Sequence, residues 1–157
     1  MKADHYWEQT DYEEMAVAKT FGDLVPISIR IIGRMPQPVV LVSGPISSGG
    51  KGSLKANLKV FEDAIITFMK KGYSVFNQLP FEPKLQELSK DYKEYCTPIL
   101  DDIFLPILKS GLIKKMFFIP GWESSVGARW EYNTRRDFPA ACRGYLVGRF
   151  GNPRFPK

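Results

Sequence analysis

The chain has a single histidine, His5 near its start, and two cysteines, Cys96 and Cys142, that share no metal-ligand spacing. No zinc site can be assembled from that set, and a Ser-His-Asp arrangement would have to rest on His5. No apolar run approaches the roughly 20 residues that span a bilayer, and the first residues lack the charged-then-apolar pattern of a secretory signal. These absences lead to the expectation of a cytoplasmic protein with reduced thiols, no membrane partner, no metal and no cofactor. Like charges never gather into a block, although the net charge is +5 and the pI about 9.2. A dispersed basic balance favours small anions such as phosphates over an extended nucleic-acid footprint, or simply keeps the protein in solution. Internal repeats and low-complexity segments are also missing.

What the 157 residues do contain suits one domain with a single sizeable core. Residues 1–37 carry little chemistry. A short helix is expected from Tyr12 to Phe21 and an extended, alternating segment from Pro26 to Ile32, together forming an arm that packs on a partner subunit. The domain proper is expected to span 38–157. Val39-Val40-Leu41-Val42 reads as a strand buried on both faces. A helix from about Leu54 to Lys71 places Leu58, Phe61, Ile65, Phe68 and Met69 on one side. Tyr73 to Phe76 reads as a second strand, followed by short helical stretches up to about Tyr95. A helix starting near Pro98 carries Asp101 and Asp102 and kinks at Pro106. Lys115 to Ile119 is the third strand, Val126 to Asp137 a helix, Gly144 to Phe150 a fourth strand with alternating side chains, and the tail from Gly151 is irregular. Strands alternating with helices imply an α/β fold, a parallel sheet with helices on both faces.

Two loops stand out. Ser43-Gly44-Pro45-Ile46-Ser47-Ser48-Gly49-Gly50-Lys51-Gly52-Ser53 leaves the first strand and enters a helix. It is not a nucleoside-triphosphate loop of the G-x-x-x-x-G-K-[ST] type: with Gly50-Lys51 in register, Pro45 stands at the first glycine and Gly52 at the hydroxyl position. Its free backbone amides at a helix start still suit a phosphate or a sugar hydroxyl, unless it is only a mobile surface loop. The second loop, Ile119-Pro120-Gly121-Trp122-Glu123-Ser124-Ser125, leads from a buried strand into a helix that Ser124 or Ser125 can cap. Gly127 and Glu131, four apart, share one face of that helix, with room for a ligand over the glycine. In parallel sheets the carboxyl ends of strands are where ligands bind. Each residue has a plainer reading: Glu131 paired with Arg135 on an exposed face, Asp101 and Asp102 solvated, Asn57 holding the first loop, Trp122 and Trp130 in the core.

Taken together, Ser43-Gly44-Pro45, the helix with Asn57 and Phe61, Gly72-Tyr73-x-Val75-Phe76-Asn77, and Ile119-Pro120-Gly121-Trp122-Glu123-x-Ser125-x-Gly127-Ala128-x-x-Glu131 resemble the nucleoside 2-deoxyribosyltransferase superfamily, in a branch of small phage or bacterial proteins. The resemblance runs from about Pro38 to Arg136. It implies a three-layer flavodoxin-like, Rossmann-like fold and a homodimer or higher homo-oligomer. It also implies cleavage of the N-glycosidic bond of a nucleoside or nucleotide. Glu131 falls at the position of the family's glutamate nucleophile. Asp102, or else Asp101, is the candidate for the acid that assists the departing base. Ser125, six residues before Glu131, matches the phosphate-contacting serine of the branch acting on 5′-monophosphates. The remaining candidate substrate contacts are Ser43, Gly44, Pro45, Ile46, Gly49, Gly50, Asn57 and Gly127. One position departs from the pattern: Leu41 stands where the family carries a tyrosine.

The chemistry asks for these residue types. Breaking a C1′–N bond builds oxocarbenium character on the sugar, which an apposed carboxylate stabilises or attacks. A second, protonated carboxyl group can protonate the leaving base. Water completes a hydrolysis and a second base completes an exchange. Hydrolysis of a 5′-monophosphate is favoured here. Base exchange, a catalytically weak nucleotide-binding module and a partner-binding protein are the alternatives.

Overall fold

Val39 to Ser43 is buried at every position, as its unbroken apolar run requires, and forms strand β1 (Val39–Ser43) of a computed structural model that describes residues 4–93, 95–137, 143–147 and 153–154. The other strands are β2 (Ser74–Val75), β3 (Ile113–Phe118), β4 (Arg143–Val147) and β5 (Pro153–Arg154). They form one sheet in the order β2-β1-β3-β4-β5. The first four are parallel, and β5 runs antiparallel against β4. The helices are α1 (Gln9–Val17), α2 (Leu24–Arg34), α3 (Leu54–Lys70), α4 (Glu82–Leu88), α5 (Leu105–Lys109) and α6 (Val126–Thr134). The architecture is α/β and three-layered, consistent with a flavodoxin-like fold.

The period-2 pattern of the strands divides the core in two. Val40, Val42, Val75, Phe117 and Ile119 point to one face, where α3 covers them with Phe61, Ile65, Phe68 and Met69. Each of these α3 side chains is nearly or fully buried, a contribution of roughly 1.5–3 kcal/mol apiece. Val39, Leu41, Met116 and Phe118 point to the other face, against Ile27, Ile31 and Ile32 of α2 and Ile107 and Leu108 of α5.

Four expectations need correction. Pro26 to Ile32 is helical, not extended. Leu24, Ile27, Ser28, Ile31 and Ile32 are all buried on one face, so the 3.6-residue period wins over alternation, and Pro26 lies in the first turn, where its missing N–H costs nothing. Ser28 joins that face because its hydroxyl donates to the Leu24 carbonyl at 2.9 Å. The expected arm packs on its own sheet: Trp7, Ala18, Phe21 and the α2 isoleucines belong to the second core. Between Pro98 and α5 the chain winds as a π turn, Leu100–Phe104, with the Leu105 N–H bonded to the Leu100 carbonyl. Pro106 is the reason, since it has no N–H to continue an α-helical ladder. Finally, Pro153–Arg154 is an edge strand in a tail expected to be irregular, at an edge where proline is tolerated. Cys142 and residues 148–150 of the expected fourth strand lie outside the described residues.

From β1 the chain crosses through α3 to β2 on one side, then returns over β1 to β3 on the other. The crossovers therefore diverge between β1 and β3, whose ends Ser43 and Phe118 lie in register. A crevice opens at such a switch point, outside the carboxyl ends of the strands.

Candidate functional site

Glu131 lies at that crevice. The chain leaves β3, turns at Gly121 with a φ of 87°, makes one 3-10 turn (Trp122–Ser124) and enters α6. Ser125 caps the helix, its hydroxyl oxygen accepting from the Ala128 N–H at 3.2 Å. One turn further in, Glu131 is 5 % exposed, and the Ser43 hydroxyl at the end of β1 donates to its carboxylate. Burial pushes its pKa up to about 7, while the Ser43 hydrogen bond pulls the other way. The surface pairing with Arg135 does not form. That guanidinium lies 3.7 Å from the centre of the Tyr132 ring and donates to the Tyr132 carbonyl.

The loop after β1 is tied down at both sides. Asn57, 3 % exposed, accepts from the Lys51 N–H at 2.8 Å and donates to the carbonyls of Ile46 and Gly49 at 2.9 and 3.0 Å. Across the crevice, the Gly50 N–H donates to Ser124 Oγ at 2.8 Å, and the Val126 N–H donates to Ser48 Oγ at 3.1 Å. Gly49 and Gly50 have φ of 68° and 64°, and a Cβ on Gly49 would meet the Ser124 carbonyl oxygen at 2.2 Å. Only glycine lets the loop lie this close to the start of α6.

The expected residues therefore sort into three groups. Gly44, Ile46, Ser125, Gly127 and Glu131 line one pocket, together with Ser47 and Ser48. Ser43, Pro45, Gly49, Gly50 and Asn57 stand behind it: Ser43 holds Glu131, and the others shape the loop. Asp101 and Asp102 are not brought to the pocket. Both are exposed and line a different cleft with Lys19, Thr20 and Leu88, because Leu100 and Ile103 of the π turn take the buried positions. The space above Gly127 is not open either. Tyr95 fills it, its hydroxyl 2.6 Å from where a Cβ on Gly127 would stand.

The opposite wall was not anticipated. It carries Gln78, Glu82 and Gln86, spaced by four along the turn into α4 and along α4 itself, with Leu85, Tyr95, Leu100 and Phe104. Glu82 is 8 % exposed and burial raises its pKa, against a weak opposing hydrogen bond from Gln86 at 3.4 Å. Burial, then the nearby Glu131 and Glu82, raise that of Tyr95, so the phenol stays neutral between two acids. The four-residue spacing of Gln78, Glu82 and Gln86 was visible in the sequence, whereas nothing marked Tyr95. Leu41 is fully buried in the core. The cavity measures about 50 Å³.

Among the described residues no three His, Cys, Asp or Glu side chains gather as a metal site, and no helix is long and apolar enough to cross a membrane. Compared with protein-family models, with curated proteins and with solved structures, the chain matches none.

Proposed function

We propose that the protein cleaves the N-glycosidic bond of a nucleoside 5′-monophosphate or a nucleoside, with Glu131 as nucleophile and hydrolysis favoured over base exchange. One observation carries the reading: a buried glutamate at the switch point of the sheet, its pKa pushed up to about 7 and its carboxylate held by Ser43. A carboxylate destabilised by burial gains most when a positive charge develops beside it, so it favours an oxocarbenium-like transition state over the ground state.

In this scheme the Glu131 carboxylate attacks C1′ and the C1′–N bond breaks, its electron pair leaving with the base. The base takes a proton from Glu82, whose burial favours its protonated form; Glu82 replaces Asp101 and Asp102 in that role. Water then attacks C1′, returns a proton to Glu82 and frees Glu131. Ser47, Ser48 and Ser125, beside the N-terminus of α6, suit the phosphate of a nucleotide.

A second reading, a nucleotide-binding module without turnover, is favoured by Leu41 in place of the tyrosine. Incubation with nucleosides and 5′-monophosphates, with and without an acceptor base, separates the readings by chromatography of the free base. Base release without acceptor identifies a hydrolase, and a new nucleoside formed only with acceptor identifies a transferase. Thermal stabilisation by a nucleotide with no product identifies the binding module.

A further inference from the structure

The pocket lining is chemically mixed. Ser47, Ser48 and Ser125 bring hydroxyls. Leu85, Leu100 and Phe104 bring apolar surface, and Gln78 and Glu82 line the same space. Gln78 is 5 % exposed, and its Oε1 has no hydrogen-bond partner. A buried acceptor left unpaired is costly, and a ligand that offers it an N–H removes the cost. The main chain around this residue is fixed, since the Phe81 N–H donates to the Gln78 carbonyl at 3.1 Å and Asn77 Oδ1 accepts from the Leu79 N–H at 3.1 Å. Gln78 and Glu82 both line the pocket.

Resting on the reading of the site as one for a nucleotide or nucleoside, we propose that the wall with Gln78 and Glu82 takes a base bearing an exocyclic amine, with Gln78 Oε1 accepting from that amine. A sugar hydroxyl is also a donor, but the apolar side chains suit a base and the serines suit the sugar and phosphate. An oxo group in place of the amine would set an acceptor against the buried Gln78 Oε1. A site built to accept an N–H discriminates strongly against an analogue without it.

The test is calorimetric binding of adenosine 5′-monophosphate against inosine 5′-monophosphate, and of cytidine against uridine 5′-monophosphate. It uses the wild-type protein and its Glu131→Gln variant, which holds the ligand without turnover. At least one amino member should bind tenfold or more tightly than its oxo partner. Gln78→Leu should bring that pair within twofold, and Gln78→Met gives a second variant in case the first folds poorly. Equal binding within both pairs, or a preference for the oxo members, overturns the proposal while leaving the glycosidic reading intact. If no nucleotide binds and the wild-type protein frees no base, both fall together. The wild-type comparison needs no variant at all.

Discussion

Replacing Glu131 by glutamine should make the folded protein more stable at neutral pH. The carboxyl group titrates near 4.5 in an unfolded chain and near about 7 in the fold, where burial disfavours its charge. Its folded pKa is therefore the higher one, so between those values the folded state keeps a proton that the unfolded state has released. Stability then falls as pH rises through that window and levels off above it. The gap, at about 1.4 kcal/mol per pH unit, amounts to about 3 kcal/mol by pH 8. Glutamine keeps the volume and can still accept from the Ser43 hydroxyl, but it carries no charge to bury. Urea denaturation of both proteins should show near-equal stability at pH 4.5 and a gain of up to about 3 kcal/mol for Glu131→Gln at pH 8. The comparison at two pH values cancels the other titrating groups. A difference between the proteins that does not change with pH would refute the argument, because the carboxylate would then not be strained by burial.

Other outcomes follow from the same geometry. Asp101→Asn and Asp102→Asn should each change turnover less than twofold, since both side chains are exposed on another cleft; a tenfold loss in a base-release assay would restore them to the site. Asn57→Ala removes three hydrogen bonds that hold the 44–53 loop, so it should cost about 1–3 kcal/mol in denaturation and speed hydrogen exchange at the Lys51 amide. Asp11 is fully buried with Arg30 and Arg34 against it: burial pushes its carboxyl up, but the Glu8 amide and the two guanidinium groups outweigh this and hold it low. Its contribution is therefore present at neutral pH and lost as pH falls below the usual carboxylate range. Asp11→Asn should cost roughly 2–3 kcal/mol near pH 7, and the deficit should shrink in acid.

Much of the fold was legible because the strands are fully apolar and the helices start and stop on marked residues. Val39–Val42 and the Phe61, Ile65, Phe68 stripe admit one reading each. Pro26 to Ile32 admitted two, since a run this rich in isoleucine satisfies a period of 2 as well as one of 3.6, and only packing against the sheet decides. At the site, Glu131, Ser125, Gly44 and Ile46 were legible from the strand–loop–helix pattern of the two loops. The opposite wall was not, because Gln78, Glu82 and Tyr95 reach the pocket through the long connection between β2 and β3, whose path depends on tertiary contacts. Asp101 and Asp102 were misread for a related reason. The π turn forced by Pro106 rotates the residues before it, and Leu100 and Phe104 face the pocket where an acid was expected.

The claim that Glu131 is a nucleophile is tested most directly by mass spectrometry of acid-quenched protein during turnover of a nucleoside 5′-monophosphate. A covalent glycosyl intermediate should appear as an adduct of one sugar phosphate on the peptide containing Glu131, absent from Glu131→Gln, which should also free no base. Base release that continues undiminished in Glu131→Gln, with no adduct in the wild-type protein, would contradict the account.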